Sequence, residues 1–271
     1  MAIKIIPMNY HYQRYPLAKF LDYVQRSPFR KEIDLYCAAP QVDILHCSIK
    51  EILELDKQLT CRGLAINTMT PENFAYPISF SAKDSLLTAA SLQYYQKAID
   101  IAEFLGCPRV QISIGTGFFN ENPQYPWERC RENLELLTRY SQRKKVVLLL
   151  EELKRTSSNV INTSQDLAKM LQEIDSPYLV GMMDIDQMAT CGETPNDYFA
   201  HLGAKMQHIH FNDRDHTVPG DGGYPMEEFY QSIKEIGYTG TMTFEICASK
   251  YFSEPDKAMT KIWNWLQQNV D

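Results

Sequence analysis

Eight short apolar runs recur along the chain with longer amphipathic stretches between them, and this alternation restricts the fold more than any other feature. The runs are residues 2–8 (AIKIIPM), 32–38 (EIDLYCA), 62–68 (RGLAINT), 109–115 (RVQISIG), 145–153 (KVVLLLEEL), 178–185 (YLVGMMDI), 206–211 (MQHIHF) and 240–247 (GTMTFEIC). Each is continuous and apolar, as strands covered on both faces should be. Between them, residues 84–105 read as a helix stopped by Gly106 and Pro108. Residues 127–142, 164–174, 195–202, 226–236 and 256–268 read likewise, with Gly203 and Gly237 as C-terminal caps. A less regular helix is expected near 41–58, its approach interrupted by Pro40 and His46.

Strands that alternate with helices form parallel β/α units, and eight such units close into a (β/α)8 TIM barrel. The 271 residues suit one barrel domain spanning 1–271, with a long loop at 68–83 able to cover its mouth. An open doubly wound sheet is the alternative, but no GxGxxG follows the first run. No linker or low-complexity segment divides the chain.

Net charge −7 and a pI near 5.4 argue against a general nucleic-acid surface. No apolar run approaches the ~20 residues that span a bilayer, and the start has no small-residue cleavage site. Seven scattered cysteines without a CxxC suit reduced thiols in a cytoplasmic protein.

The active site of such a barrel lies at the C-terminal ends of its strands. Those ends, in the last four runs, read LLLEE, GMMD, HIH and TFE. Side chains alternate between the barrel interior and the helix layer. On the fifth run either Glu151 or Glu152 points inward, not both. Met242, Phe244 and Ile246 should face helices, turning Thr241, Thr243 and Glu245 inward. Ile209 and Phe211 outward put His208 and His210 inside, and Met183 and Ile185 outward do the same for Asp184 and Asp186. The inward set at the strand ends is then Glu151, Asp184, His210 and Glu245. Three carboxylates together raise one another's pKa unless a cation sits among them. Oxygen-rich sites favour Mg²⁺ or Mn²⁺, and one imidazole moves the preference towards Mn²⁺, Co²⁺ or Zn²⁺. Asp186 is a competing ligand, His208 a supporting histidine below His210, and Asp213 and Asp215 candidates to orient His210. Gly115-Thr116-Gly117 and the 220–223 loop are weak anion-loop candidates.

At these residues the chain resembles the xylose-isomerase-like sugar isomerases and epimerases, nearest the fructoselysine 3-epimerase and ketose 3-epimerase branch. The resemblance spans essentially the whole chain. It rests on Glu151-Glu152-Leu153, Ser158-Asn159-Val160, Met183-Asp184-Ile185, His208-Ile209-His210, the loop of His216, Pro219, Gly220 and Gly222, Phe244-Glu245-Ile246 and Ser253-Glu254-Pro255. It implies one divalent ion, most often Mn²⁺ or Co²⁺ with Zn²⁺ or Mg²⁺ as alternatives, on Glu151, Asp184, His210 and Glu245. It also implies Glu151 and Glu245 as the acid/base pair that inverts a ketose carbon through a metal-stabilised cis-enediolate, and a homodimer or tetramer. Three positions depart from the ketose 3-epimerase pattern: Gln187 where a histidine is usual, His216 where several have arginine, and Ser157 where a glutamate is frequent. These positions face substrate, so the sugar or sugar conjugate differs more readily than the chemistry. Tyr10, His11, Tyr12 and Trp127 lie near strand ends, and Tyr10 and Trp127 are expected to line the pocket. An inosose-dehydratase-like lyase and a non-catalytic sugar-binding protein are the alternative functions. A trizinc endonuclease would need more than the six histidines available.

Overall fold

Strands form where the apolar runs are, and their ends are set by the caps of the helices beside them. In the computed structural model, which describes residues 3–269, the strands are β1 (Lys4–Ile6), β2 (Glu32–Cys37), β3 (Ala65–Pro71), β4 (Arg109–Ile112), β5 (Val147–Leu150), β6 (Leu179–Asp184), β7 (Met206–His210) and β8 (Thr241–Thr243). They pair in parallel in the order β1-β8-β7-β6-β5-β4-β3-β2. A parallel bridge between Met8 and Asp34, with Asp34 N–H donating to Pro7 O at 2.9 Å, spans the gap between β1 and β2. The sheet is thus a nearly closed single-domain TIM barrel. Ala2, placed in the first run by its sequence, lies outside the described residues.

The helices are α1 (Leu17–Arg26), α2 (Ile49–Thr60), α3 (Ser85–Phe104), α4 (Gln124–Lys144), α5 (Ser164–Ile174), α6 (Ile185–Thr190), α7 (Pro195–Leu202), α8 (Met226–Glu235) and α9 (Pro255–Asn269). Among the described residues none is long and apolar enough to cross a membrane. Three differences from the sequence reading have local causes. First, α2 starts at Ile49, because Ser48 and Glu51 cap it reciprocally, while Asp43 turns the preceding segment by accepting from Leu45 and His46 N–H. Second, β3 begins at Ala65, not Arg62: Gly63 at φ +63° ends α2, and Leu64 N–H returns to Leu59 O. Third, β6 stops at Asp184, which caps α6 by accepting from Gln187 N–H.

The period-2 alternation sorts the apolar side chains into separate zones. Ile33, Leu35, Met183, Ile209, Phe211, Met242, Phe244 and Ile246 belong to the large core between strands and helices. Leu149, Val180 and Met182 form a smaller cluster of their own, the apolar floor beneath the strand ends of β5 and β6. Helix packing is tight over β6, where a Cβ on Gly181 would collide with Leu202 Cδ2. Of the 68–83 stretch, β3 takes the first residues and Pro71, Glu72, Asn73 and Phe74 border the mouth. Phe80 N–H then docks on Ile114 O at 2.9 Å.

Candidate active site

With Leu149 on the floor inside the barrel, Glu151 two residues on follows it inward, and Glu152 takes the opposite face. Glu152 is fully buried in the helix layer; burial, reinforced by the charges of Glu151 and Asp184, pushes its carboxyl well above the usual range. The structure brings together one ligand-type atom from each of Glu151, Asp184, His210 and Glu245, all within 4.8 Å of one another. His210 Nδ1 stands at the centre, 3.3 Å from Glu245 Oε2, 3.6 Å from Glu151 Oε1 and 4.0 Å from Asp184 Oδ2. It is wholly buried yet makes no hydrogen bond.

Each carboxylate is clamped by its remaining lone pairs. Gln111 Nε2 and Ser113 Oγ, at the end of β4, donate to Glu151 Oε2 at 2.6 and 3.0 Å. Asp184 Oδ1 accepts from Gln187 N–H at 2.9 Å and Oδ2 from Asn212 Nδ2 at 2.6 Å. Glu245 Oε2 lies 3.3 Å from His216 Nε2. The two glutamates differ electrostatically. Burial, together with Glu245 and Asp184, raises Glu151 despite His210. Burial would lift Glu245 as well, but His210 and His216 hold it well below the carboxylate range. His210 and His216 are correspondingly raised well above ordinary imidazoles: burial opposes this, and the surrounding carboxylates overcome it.

His216 reaches this cluster through strained backbone. Asp215 and His216 both lie in the left-handed region, at φ +57° and +52°, which costs of order 1–3 kcal/mol per non-glycine residue. Bonds on every side hold them there. Cys247 and Ala248 N–H donate to His216 O at 3.1 and 3.3 Å, and Asp215 N–H donates to Asp186 Oδ1 at 3.1 Å. Asp186, expected as a competing ligand, instead faces His216 Nδ1 at 3.3 Å and accepts from Tyr224 Oη at 3.1 Å. Burial resists its ionisation, but His216 draws it down to about 2. Asp213 does not orient His210 either; its carboxylate accepts N–H bonds from Arg214, Gly220, Gly222, Gly223 and Tyr224, fixing the Pro-Gly loop.

Over the cluster opens a cavity of about 240 Å³. Tyr10, Gln187 and His216 line it with Glu151 and Glu245, as do Tyr36, Lys154 and Cys247, which the sequence reading did not single out. Two of the expected pocket residues are elsewhere. Trp127 is buried between α4 and α5, its Nε1 donating to Glu173 at 2.9 Å and its ring under Lys169. Ser157 sits in a turn, its N–H on Lys154 O at 2.8 Å, and does not border the cavity. His11 and Tyr12 are also outside it: Tyr12 Oη donates to Asp256, and His11 is buried without a partner. The Gly115–Gly117 turn is filled by Asn159, whose Oδ1 accepts from Gly117 N–H at 2.9 Å and Thr116 Oγ1 at 3.0 Å.

The sequence reading missed Asp34, Gln111, Ser113 and Asn212. The first three lie inside apolar runs, Asp34 in the second and both Gln111 and Ser113 in the fourth, and the parity rule applied to those runs would have found them.

Residues 31–269 match the model of a family described as xylose isomerase-like TIM barrel. The chain is 32% identical over 191 residues to fructoselysine 3-epimerase of Shigella flexneri, covering 69% of each chain. It is 28% identical over 126 residues to D-psicose 3-epimerase of Enterocloster bolteae, covering 46% of this chain and 42% of that one. Among solved structures, 3-keto-D-glucoside 4-epimerase from E. coli superposes with a TM-score of 0.82 at 16% identity, over 98% of this chain and all of its own, a likeness of fold. The curated relatives are carbohydrate epimerases.

Proposed function

The chain belongs to the xylose isomerase-like TIM barrel family, and from that premise we propose that it is a metal-dependent 3-epimerase of a ketose or ketose conjugate, fructoselysine- or tagatose-like. The observation that carries this reading is His210 Nδ1, buried and without a hydrogen bond, among three carboxylates at 3.3–4.0 Å. That spacing suits ligands that share one cation, and the set of one nitrogen and three carboxylates favours Mn²⁺ or Co²⁺. Glu151, Asp184, His210 and Glu245 would hold it. When bound, a divalent ion polarises a carbonyl as a Lewis acid and offsets negative charge that develops beside it.

The protein's own groups account for the remainder. Glu151 and Glu245 approach His210 from β5 and β8, so a sugar held between them presents opposite faces of one carbon to two carboxylates. One takes the carbon-bound proton to give the cis-enediolate and the other returns a proton from the far side, which inverts the centre. Such proton transfers typically contribute ~10²–10⁴-fold in rate. Gln111 and Ser113 keep Glu151 in position, as His216 does Glu245. His216, fixed from behind by Asp186, lines the path of the remaining sugar together with Gln187 and Tyr10.

The test is exchange. Mn²⁺-loaded protein is incubated in D₂O with a panel led by fructoselysine, tagatose and psicose. Deuterium at the carbon beside the carbonyl, with product of unchanged heavy-atom composition, is expected. Product lighter by one water would mean a lyase. No exchange across the panel would end the reading.

A further inference from the structure

Beneath the four-residue cluster, a chain of buried polar groups crosses the inside of the barrel from β3 to β8. Thr70 Oγ1 donates to Asp34 Oδ1 at 2.7 Å. Asp34 Oδ2 faces His208 Nε2 at 3.2 Å and His210 Nε2 at 3.6 Å, and His208 Nδ1 meets Thr241 Oγ1 at 2.7 Å. Asp34, His208 and His210 are completely buried. The two imidazole rings meet edge to face, 5.2 Å apart, so both turn their Nε2 edges to the same carboxylate oxygen.

These contacts fix proton positions. An ionised carboxylate accepts only, so the hydroxyl of Thr70 points to it and the Nε2 of each neighbouring ring carries hydrogen. His208 Nδ1 is then the acceptor of the Thr241 hydroxyl. On His210 the same rule makes Nδ1, the nitrogen that faces Glu151, Asp184 and Glu245, the one that gives up its proton when a cation takes the site. At 3.6 Å the contact with Asp34 is longer than a good hydrogen bond, but it is the nearest anion on that side of a ring sealed from water, where charge acts with little screening. We infer that Asp34 is a positioning residue: by holding the proton of His210 on Nε2 it reserves Nδ1 for the cation. This rests on the metal site proposed above. A carboxylate behind a metal-binding histidine fixes both tautomer and ring orientation, and losing it typically weakens metal binding ~10–100-fold.

Asp34, His208 and His210 themselves offer ligand atoms within 4.8 Å of one another. The Thr70–Asp34–His208–Thr241 chain satisfies Asp34 and His208 without an ion, so one cation per chain is expected.

Asp34→Asn is the informative substitution. The amide keeps its oxygen towards the Thr70 hydroxyl and turns NH₂ towards the histidines. An N–H donor facing Nε2 makes that nitrogen an acceptor and drives the proton onto Nδ1, where the cation must bind. Chelator-stripped protein is titrated with Mn²⁺, and free Mn²⁺ is read by electron paramagnetic resonance. The unsubstituted chain should bind one Mn²⁺, and D34N, folded by circular dichroism, should bind it ~10–100-fold more weakly. Equal affinity in folded D34N, or two Mn²⁺ per unsubstituted chain, overturns the assignment while leaving the epimerase reading intact. No Mn²⁺ bound by the unsubstituted chain overturns both. Because D34N removes a buried charge and could fail to fold, a second measurement needs no variant. In the ¹⁵N-histidine spectrum of Zn²⁺-loaded protein, His210 should carry its proton on Nε2. A proton on Nδ1 overturns the assignment.

Discussion

The rim of the barrel divides into two arcs that end at the same height with different chemistry. From β5 to β8 the strand ends carry Glu151, Asp184, His210 and Glu245, every one ionisable. From β1 to β4 the groups bordering the cavity include Tyr10, Tyr36, Thr70 and Gln111, neutral donors and aromatic rings, and the carboxylate found with them, Glu72, is taken up by Tyr36 Oη and by Phe74 and Ala75 N–H. Tyr10 and Tyr36 pack with their rings tilted by 37° and centroids 4.3 Å apart, an aromatic wall rather than a charge. The ionisable arc therefore holds what a proton transfer needs, and the neutral arc holds shape. The arcs are joined where Gln111 and Ser113 grip Glu151, and one layer down where Asp34 faces His210.

The sharpest way to break this division is to substitute once in each arc. Glu245→Gln keeps the shape but removes the carboxylate proposed as a ligand and proton-transferring group. Deuterium incorporation should slow by at least ~10³-fold, about 4 kcal/mol of barrier. Tyr10→Phe in the neutral arc should change the same rate less than about tenfold, the value of one hydrogen bond. Comparable losses in the two variants would abolish the distinction.

Metal removal separates the arcs through stability. A ligand bound only by the folded state at 100–1,000 times its Kd stabilises by about 3–4 kcal/mol. Urea unfolding of chelator-stripped and Mn²⁺-reloaded protein should differ by that amount. Tyr10→Phe should retain the increment and Glu245→Gln should lose most of it.

Acid exposes a weakness on the neutral side. His11, in the turn after β1, is buried with both ring nitrogens unpartnered, and burial lowers its pKa from 6.5 to about 3 despite Asp256. Between those values the unfolded chain takes up a proton that the folded one refuses. Stability is therefore complete above pH 6.5 and falls as pH drops towards 3, by ~1.4 kcal/mol per unit for this one group. From pH 7 to pH 5 the loss should be about 2 kcal/mol by linkage. His11→Phe should remove that share of the slope in urea titrations at the two pH values, with the ionisable arc untouched.

The two arcs also differ in how much of them could be read from the residues. On β5–β8 the period-2 rule needed only large apolar residues facing outward, and Met242, Phe244, Ile209 and Met183 supply them, so Glu245, His210 and Asp184 followed. On β2 and β4 the same rule points to Asp34 and Gln111, yet these lie within apolar runs rather than at strand ends and do not resemble a motif. His216 was recognisable as a loop residue, but its contact with Glu245 depends on two consecutive left-handed residues and on Asp186, none of which a local pattern encodes. Strand limits were obscured by caps: Gly63 and Ser48 moved β3 and α2 because hydrogen bonds at helix ends, not hydropathy, decide where the chain turns.

Trp127 gives the smallest effect and the finest test of the boundary. Like Tyr10 it is aromatic and follows a strand end, and the sequence offers no means to tell them apart. The structure does: α4 begins at Gln124, and its first turn directs Trp127 onto α5, where the indole N–H binds Glu173 and the ring lies 4.2 Å from Lys169 Nζ. Trp127→Phe retains the apolar face but loses one hydrogen bond and weakens one cation–π contact. Both involve partly exposed partners, so the cost should be about 1 kcal/mol of stability in urea unfolding. The deuterium exchange rate should stay within about twofold, because Trp127 does not border the cavity and contacts outside the site couple weakly to it. A tenfold loss of exchange with stability unchanged would put Trp127 in contact with substrate and extend the neutral arc past β4 into the helix layer.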